Sequence, residues 1–137
     1  MTEALGYLVD TNIISELVRR EPDPGVTAWA SGVTRLALSV ITVDEIWFGL
    51  AWRPNARVRT WVEAFFQRHP ILDVTAPIAR RAGELRGTLA ARGSVRHQAD
   101  MLIAATAQAH QLTLVTRKTK DFEQCGIGLL NPFSDAD

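Results

Sequence analysis

Four acidic residues occupy positions from which carboxylates could act together. Asp10 directly follows the apolar run Tyr7–Val9. The others lie at the start of a predicted helix or in its first turn: Glu45, Asp100 and Asp121. Like charges a few ångströms apart resist joint ionisation until a cation compensates them, and ligation by oxygen alone favours Mg²⁺ or Mn²⁺. The acids therefore predict a divalent metal centre, provided that the fold brings them together.

Other chemistries find less support in the sequence. Zinc is disfavoured because the chain has a single cysteine, Cys125, and its three histidines show no ligand spacing with one another. No serine, cysteine or histidine is placed as a covalent nucleophile. A metal-activated water is then the expected nucleophile, because a bound cation lowers the pKa of water and neutralises charge that develops on a phosphodiester.

Each acid also has a simpler interpretation as a helix cap. Asp10 or Asn12 could cap the first helix, and Thr42-Val43-Asp44-Glu45 has the Thr-x-x-Glu pattern of a capping box. Acids are generally favoured at helix N-termini. Capping is a weaker explanation for Asp100, because its helix is apolar nearly all round and an inward carboxylate is costly to bury without a partner. Both interpretations stay open at this stage.

Alternating secondary structure is expected to gather these residues. Short β-prone runs are predicted over 7–9, 36–40, 71–74, 112–115 and 126–130. Helical patterns lie between them, over about 13–20 and 26–31, from 42, over 56–69, from 75 to 91 and up to 109. Such alternation predicts a three-layer α/β/α sandwich with a central parallel sheet of about five strands. Ligands bind where parallel strands end, so all four acids are expected at that edge.

Composition limits the remaining possibilities. A chain of 137 residues fits one domain spanning 1–137, and 47% hydrophobic with 22% charged residues is a globular composition. Lys+Arg and Asp+Glu balance at 15 each, so contact with nucleic acid would be local. No apolar run reaches the roughly 20 residues of a membrane span and no signal pattern is present. With the lone Cys125, these features predict a cytoplasmic protein without a membrane partner.

Four motifs together resemble a known family. They are Asp10-Thr11-Asn12 after a short strand, Glu45 at the end of Ser39-Val40-Ile41-Thr42-Val43-Asp44-Glu45, Asp100-x-x-Ile103-Ala104-Ala105-Thr106-Ala107, and Thr116-Arg117-x-x-x-Asp121-Phe122. In this order and over nearly the whole chain, they resemble the PIN-domain family, and within it the VapC/FitB-type toxins of bacterial toxin–antitoxin pairs.

The resemblance implies a function and a set of roles. It implies a Mg²⁺- or Mn²⁺-dependent endoribonuclease toxin that is usually a homodimer, is held inactive by a small antitoxin, and can join that antitoxin in a hetero-oligomer on operator DNA. Carried over to this chain, Asp10, Glu45 and Asp100 are metal-binding carboxylates and Thr116 lies near the site. Single-stranded or looped RNA is the expected substrate, with Asn12, Arg117 and Lys118 as candidate contacts.

Lys118 departs from the pattern of the family. Many members have Asn or Asp at this position, which leaves Asp121 as the only candidate for a fourth catalytic acid. The lysine could replace one metal charge or grip a phosphate, or it could be a solvated loop cation. If it spoils the site, the chain is a PIN-like binding module without activity. A phosphoacceptor receiver domain is a further alternative, because such domains also use acids, Mg²⁺, Thr and Lys.

Six large aromatic residues in two consecutive predicted helices exceed what one face of the core easily absorbs. They are Trp47, Phe48, Trp52, Trp61, Phe65 and Phe66. We expect some of them to line a groove for an antitoxin helix or a dimer interface, where aromatic anchors concentrate binding energy. The alternative is that all six belong to the core.

Overall fold

A computed structural model describes residues 6–135 and contains one parallel sheet. Its strands are β1 (Tyr7–Val9), β2 (Leu36–Ser39), β3 (Ile71–Leu72), β4 (Thr113–Val115) and β5 (Leu129–Leu130). They lie in the order β3-β2-β1-β4-β5, and every neighbouring pair is parallel. The predicted five-stranded parallel sheet is confirmed. Strand β5 is shorter than predicted because the chain still turns at Gly126, where φ is 73°.

Six α-helices connect and cover the strands over residues 6–135. They are α1 (Thr11–Leu17), α2 (Pro24–Ser31), α3 (Val40–Trp52), α4 (Ala56–Arg68), α5 (Ala76–Ala91) and α6 (Gln98–Ala109). A 3-10 helix covers Thr119–Phe122. Helix α1 ends before the predicted residue 20 because the Glu16 carboxylate accepts a hydrogen bond from the backbone of Asp23 at 2.7 Å and draws the chain into a turn. Among residues 6–135, no helix has the length and apolarity needed to cross a membrane.

The strands place alternate side chains on opposite faces of the sheet. Leu8 and Leu114 point into a core formed with α5 and α6. Their neighbours Val9 and Val115 point into a second core, which includes Ile13 of α1 and further residues of α2 and α4. Two apolar cores on either side of one sheet make the three-layer α/β/α sandwich that the sequence predicts.

The strand order separates this fold from a receiver domain. Receiver-type sheets have the order 2-1-3-4-5, in which the third strand is central. Here β3 lies at one edge of the sheet, beyond β2. The residue that follows it therefore lies away from the centre, where β1 is flanked by β2 and β4. The receiver-domain alternative is wrong for this chain.

The central strands bring two predicted site residues side by side. Leu8 pairs with Leu114 and Val9 with Val115, so the strands end in register. The backbone N–H of Asp10 donates to the carbonyl of Val115 at 2.9 Å. Asp10 and Thr116, the residues that follow β1 and β4, are consequently neighbours at the carboxyl edge of the sheet.

Candidate functional site

Asp10 combines the two roles that the sequence left open. Its side chain is almost fully buried, with 2% of the residue exposed. One oxygen, Oδ1, accepts a hydrogen bond from the backbone N–H of Thr11 at 2.8 Å and caps α1. The other, Oδ2, accepts from the hydroxyl of Thr116 at 2.8 Å and from the Asn12 amide at 3.1 Å. Asp10 is thus both a helix cap and a rigidly held carboxylate at the sheet edge.

Burial raises the pKa of Asp10 above its ordinary value. The hydrogen bonds from Thr116 and Thr11 and the positive charge of Lys118 oppose this increase, and the negative charge of Asp100 adds to it. Two carboxylates, Asp10 and Asp100, therefore interact electrostatically, with an ammonium group acting on the same site.

Asp100 has the partner that its burial requires. It lies in the first turn of α6 with 5% of the residue exposed. The Lys118 ammonium lies 3.3 Å from its Oδ1 and 3.5 Å from its Oδ2. Partial burial alone would lower the pKa of Lys118, but the charges of Asp100 and Asp10 outweigh it and the pKa is raised. Lys118 is therefore paired with Asp100 although nearly half of its side chain is exposed, and its role at the site stays a prediction.

Thr116 is the centre of the hydrogen-bond network at this edge and is fully buried. Its hydroxyl donates to Asp10 and accepts from the Asn12 amide at 3.2 Å and from the Lys118 backbone N–H at 3.0 Å. Asn12 in turn accepts from the backbone N–H of Arg117 through its Oδ1, at 3.1 Å. Thr116 and Asn12 therefore fix both Asp10 and the 116–118 loop.

Glu45 is held by the Thr11 hydroxyl rather than by a capping box. Helix α3 begins at Val40, with Ser39 as its N-cap accepting from the Ile41 backbone at 3.0 Å. The predicted capping box at Thr42 is wrong because Ser39, three residues earlier, already caps the helix. Glu45 is exposed, and its Oε1 accepts from the Thr11 hydroxyl at 2.5 Å. That hydroxyl is also 3.1 Å from the hydroxyl of Thr42.

Asp121 is the fourth acid that the sequence predicts for this site. It is exposed, in the 3-10 helix, where its backbone N–H donates to the Lys118 carbonyl at 3.0 Å. Its backbone carbonyl accepts from the Arg96 guanidinium at 2.9 Å. Among the charges that raise the pKa of Lys118, that of Asp121 has the smallest effect. Asp121 therefore acts on the site through Lys118, and a direct catalytic role for its carboxylate stays a prediction.

An open cleft of about 490 Å³ gives access to this edge. Its lining is polar and of mixed charge: Asp10, Thr11, Asn12, Ser15, Glu16, Arg19, Glu45, Arg117, Lys118 and Phe133. Sequence reasoning missed Glu16, which is buried and pairs with Arg19 at 3.2 Å. The available signal was helical spacing, since Asn12 and Glu16 are four residues apart and share one face of α1.

The residues fit a hard cation held by few protein ligands. Within residues 6–135, no group of three or more His, Cys, Asp or Glu side chains is close enough to hold a metal ion. Glu45 is therefore not gathered with Asp10 and Asp100 into a three-carboxylate cage, and its role as a ligand stays a prediction. Mg²⁺ usually takes one or two carboxylates and completes its shell with water and phosphate oxygens. Asp10 and Asp100 are the two buried carboxylates that would supply such ligands.

The chain is similar to curated proteins and to solved structures over nearly its whole length. A curated relative from Sinorhizobium fredii, the VapC ribonuclease Y4jK, is 37% identical, with 94% of this chain and 99% of the relative covered. A solved structure of FitAB bound to a DNA fragment has a TM-score of 0.81 at 32% identity, covering 92% of this chain and 94% of the other. A toxin–antitoxin complex from Klebsiella pneumoniae has a TM-score of 0.73 at 29% identity, covering 93% and 98%.

The family assignment follows from the sequence profile as well as from these relatives. The PIN domain profile matches residues 7–126, which include Asp10, Glu45, Asp100 and Thr116. The aligned relatives cover nearly their full length, so the similarity is not confined to one motif. This chain belongs to the PIN domain family.

Proposed function

We propose that this chain is a divalent-metal-dependent endoribonuclease and the toxin of a bacterial toxin–antitoxin pair, acting as one domain in the cytoplasm. One observation carries the proposal: the Lys118 ammonium, which lines an open polar cleft together with the buried Asp10, is paired with a second buried carboxylate, Asp100. Relatives named as VapC ribonucleases support the activity. Nucleases of this type depend in general on a divalent cation, and we propose Mg²⁺ or Mn²⁺ because the donors are carboxylates.

In this proposal each residue has a distinct task. Asp10 and Asp100 hold the cation, while Thr116 and Asn12 keep the Asp10 carboxylate in one orientation through hydrogen bonds. A cation bound there would lower the pKa of water and would stabilise negative charge on the scissile phosphate. Glu45, held by Thr11, stands at the cleft wall, where its carboxylate can accept a hydrogen bond from water or substrate.

The cleft is suited to a single strand rather than a duplex. It is recessed at the sheet edge, and two arginines, Arg19 and Arg117, contribute to its lining. Unpaired RNA can bend a scissile phosphate into such a recess, which a rigid helix cannot do. No histidine is among the lining residues, and the exposed Ser15 has no base as partner. Hydrolysis by water is therefore favoured over a covalent intermediate.

We further propose that an antitoxin segment docks beside the cleft. A groove of about 300 Å³ between α1, α3 and α4 shares Thr11, Ser15 and Glu45 with the cleft lining. A peptide in this groove would extend directly to the site, which offers a physical route to inhibition. The toxin–antitoxin complex among the similar structures supports such a partner, and the DNA-bound one supports operator binding by the assembled complex.

Surface aromatics provide anchors for assembly. Phe48 and Trp52 are 62% and 70% exposed and pack edge to face at 5.6 Å. Phe65 is buried, and Trp61 stacks on it at 4.9 Å. The alternative that all six aromatics belong to the core is therefore wrong, and the predicted groove or dimer interface stays a prediction. We propose that Phe48 and Trp52 contribute to a homodimer or antitoxin interface, because exposed aromatic pairs are typical anchors of such contacts.

An inactive binding module is the second candidate, and the contact between Lys118 and Asp100 favours it. RNA cleavage with Mg²⁺ or Mn²⁺ and with EDTA distinguishes the two. We expect cleavage that EDTA stops and that Asp10→Asn and Asp100→Asn abolish. Asp44→Asn is the matched control, because Asp44 is an exposed acid next to Glu45. Cleavage that survives EDTA or both substitutions would contradict the proposed nuclease; RNA binding without any cleavage would favour the binding module.

A further inference from the structure

Lys118 occupies the position at which a cation would meet Asp100. Its ammonium lies within 3.5 Å of both carboxylate oxygens of Asp100, and the charges of Asp100 and Asp10 both act on it. The backbone of Lys118 is fixed separately, because its N–H donates to the buried Thr116 hydroxyl. The side chain therefore reaches Asp100 from an anchored point.

We propose that the Lys118 ammonium is a displaceable internal counter-ion of the Asp10–Asp100 pair, which a divalent cation must displace in order to bind. The inference rests on the proposed function, in which these two carboxylates hold the metal. It adds that this chain contains its own competitor for that metal.

Charge balance gives the physical reason. Two carboxylates with one ammonium carry a net charge of about −1, so most of their mutual repulsion is relieved without metal. A divalent cation entering while Lys118 stays would have to share Asp100 with a like charge only a few ångströms away. Displacing the ammonium removes that repulsion, but it breaks the ion pair between Lys118 and Asp100. Metal affinity is consequently lower than it would be with an uncharged side chain at this position.

The geometry allows the ammonium to leave. The Lys118 side chain is 46% exposed and lines the open cleft, so its flexible stem can turn to water without moving the backbone. Asp100 cannot follow, because its side chain is only 7% exposed. The mobile partner of this ion pair is therefore the lysine, and the fixed partner is the proposed metal ligand.

Calorimetric titration of Mn²⁺ into the RNA-free protein tests the inference. Lys118→Met keeps the length and apolar stem of the side chain but removes its charge. Lys120→Met is the matched control, because Lys120 is an exposed lysine two residues away, in the 3-10 helix. We expect Lys118→Met to bind Mn²⁺ about threefold to fivefold more tightly than the wild type, the size of effect expected for losing one partly exposed like charge. Lys120→Met should stay within about twofold.

A second measurement and variant keep the test decisive. Without metal, Lys118→Met should have a lower melting temperature than the wild type, because Asp100 loses its partner. If the methionine variant does not fold, Lys118→Gln takes its place in both measurements. Mn²⁺ affinity equal to or weaker than that of the wild type in the variant would overturn the inference and leave the metal site intact. Absence of Mn²⁺ binding in all the proteins would instead overturn the proposed metal site, and the inference with it.

Discussion

The guanidinium of Arg117 is paired with Asp135, with Nη2 and Oδ2 2.9 Å apart. The same guanidinium lies over the ring of Phe133, at 4.4 Å from its centroid. The C-terminal segment that carries both partners is anchored by Asp23, which accepts from the Ser134 backbone N–H at 2.9 Å and from its hydroxyl at 2.6 Å. The carboxylate of Asp135 is therefore bound to Arg117, the arginine that the sequence analysis predicted to contact RNA.

Gly25 permits this segment to approach α2. A Cβ at position 25 would collide with the Pro132 carbonyl and lie 2.7 Å from the Ser134 nitrogen. Glycine is therefore required here by close backbone contact and not by an unusual φ. The segment lies beside the cleft, because Phe133 and Arg117 both belong to the cleft lining.

Breaking the pair should free Arg117 for substrate. We expect Asp135→Asn to strengthen the binding of single-stranded RNA in EDTA by up to about fivefold, since exposed ion pairs of this kind contribute at most about 1 kcal/mol. Fluorescence anisotropy measures the affinity. Glu63→Gln is the control, because it makes the same charge change in the exposed Arg59–Glu63 pair. An equal gain in both variants would show a general charge effect and contradict competition by Asp135.

The contribution of Arg117 itself is visible in the salt dependence. Each phosphate contact with a single strand adds about 0.7 to the slope of log affinity against log salt concentration. Arg117→Gln should therefore reduce the magnitude of that slope by about 0.7. Arg59→Gln, at an exposed position of α4, should leave the slope unchanged. An unchanged slope in Arg117→Gln would remove this arginine from the RNA contacts.

Thr116 should contribute to stability as well as to the site. Thr116→Val keeps the shape of the side chain but leaves the buried Asp10 carboxylate without one of its hydrogen bonds. An unsatisfied buried group costs about 1–3 kcal/mol, so urea denaturation should show a decrease of this size in the free energy of unfolding. Thr116→Ser keeps the hydroxyl and should recover most of it. If Thr116→Val is as stable as the wild type, the hydrogen bond to Asp10 does not contribute to stability, and a loss confined to Thr116→Ser would show that packing of the methyl group matters instead.

The sheet edge could be predicted because it depends on patterns that a sequence displays. The alternation around Leu8 and Val9 sets the two faces of β1, and the end of the strand then fixes Asp10. Asp100 is recognisable in the same way, as a carboxylate in the first turn of an apolar helix. These features are local. The strand order adds only the information on which of these residues become neighbours.

Contacts between distant segments could not be predicted in this way. The pairing of Lys118 with Asp100 depends on how far a flexible side chain reaches across the cleft. The position of Glu45 depended on which of two possible residues caps α3, and Ser39 lies at the strand end while Thr42 does not. The docking of residues 131–135 on Asp23 joins segments more than a hundred positions apart. Tertiary packing decides each of these, and no local pattern signals it.

His69 should make stability depend on pH. Burial against neighbouring groups, which include the Phe65 ring at 4.5 Å, and the charge of Arg68 lower its pKa below the ordinary 6.5. The folded state then favours neutral imidazole, so its contribution to stability is present above pH 6.5 and is lost as the pH falls from 6.5 towards the lowered pKa. We expect the wild type to lose more stability than His69→Gln between pH 7 and 5, as measured by urea denaturation. Other titrating groups contribute equally to both proteins and cancel in the difference. Parallel pH profiles for the two proteins would show that His69 titrates alike in the folded and unfolded chain.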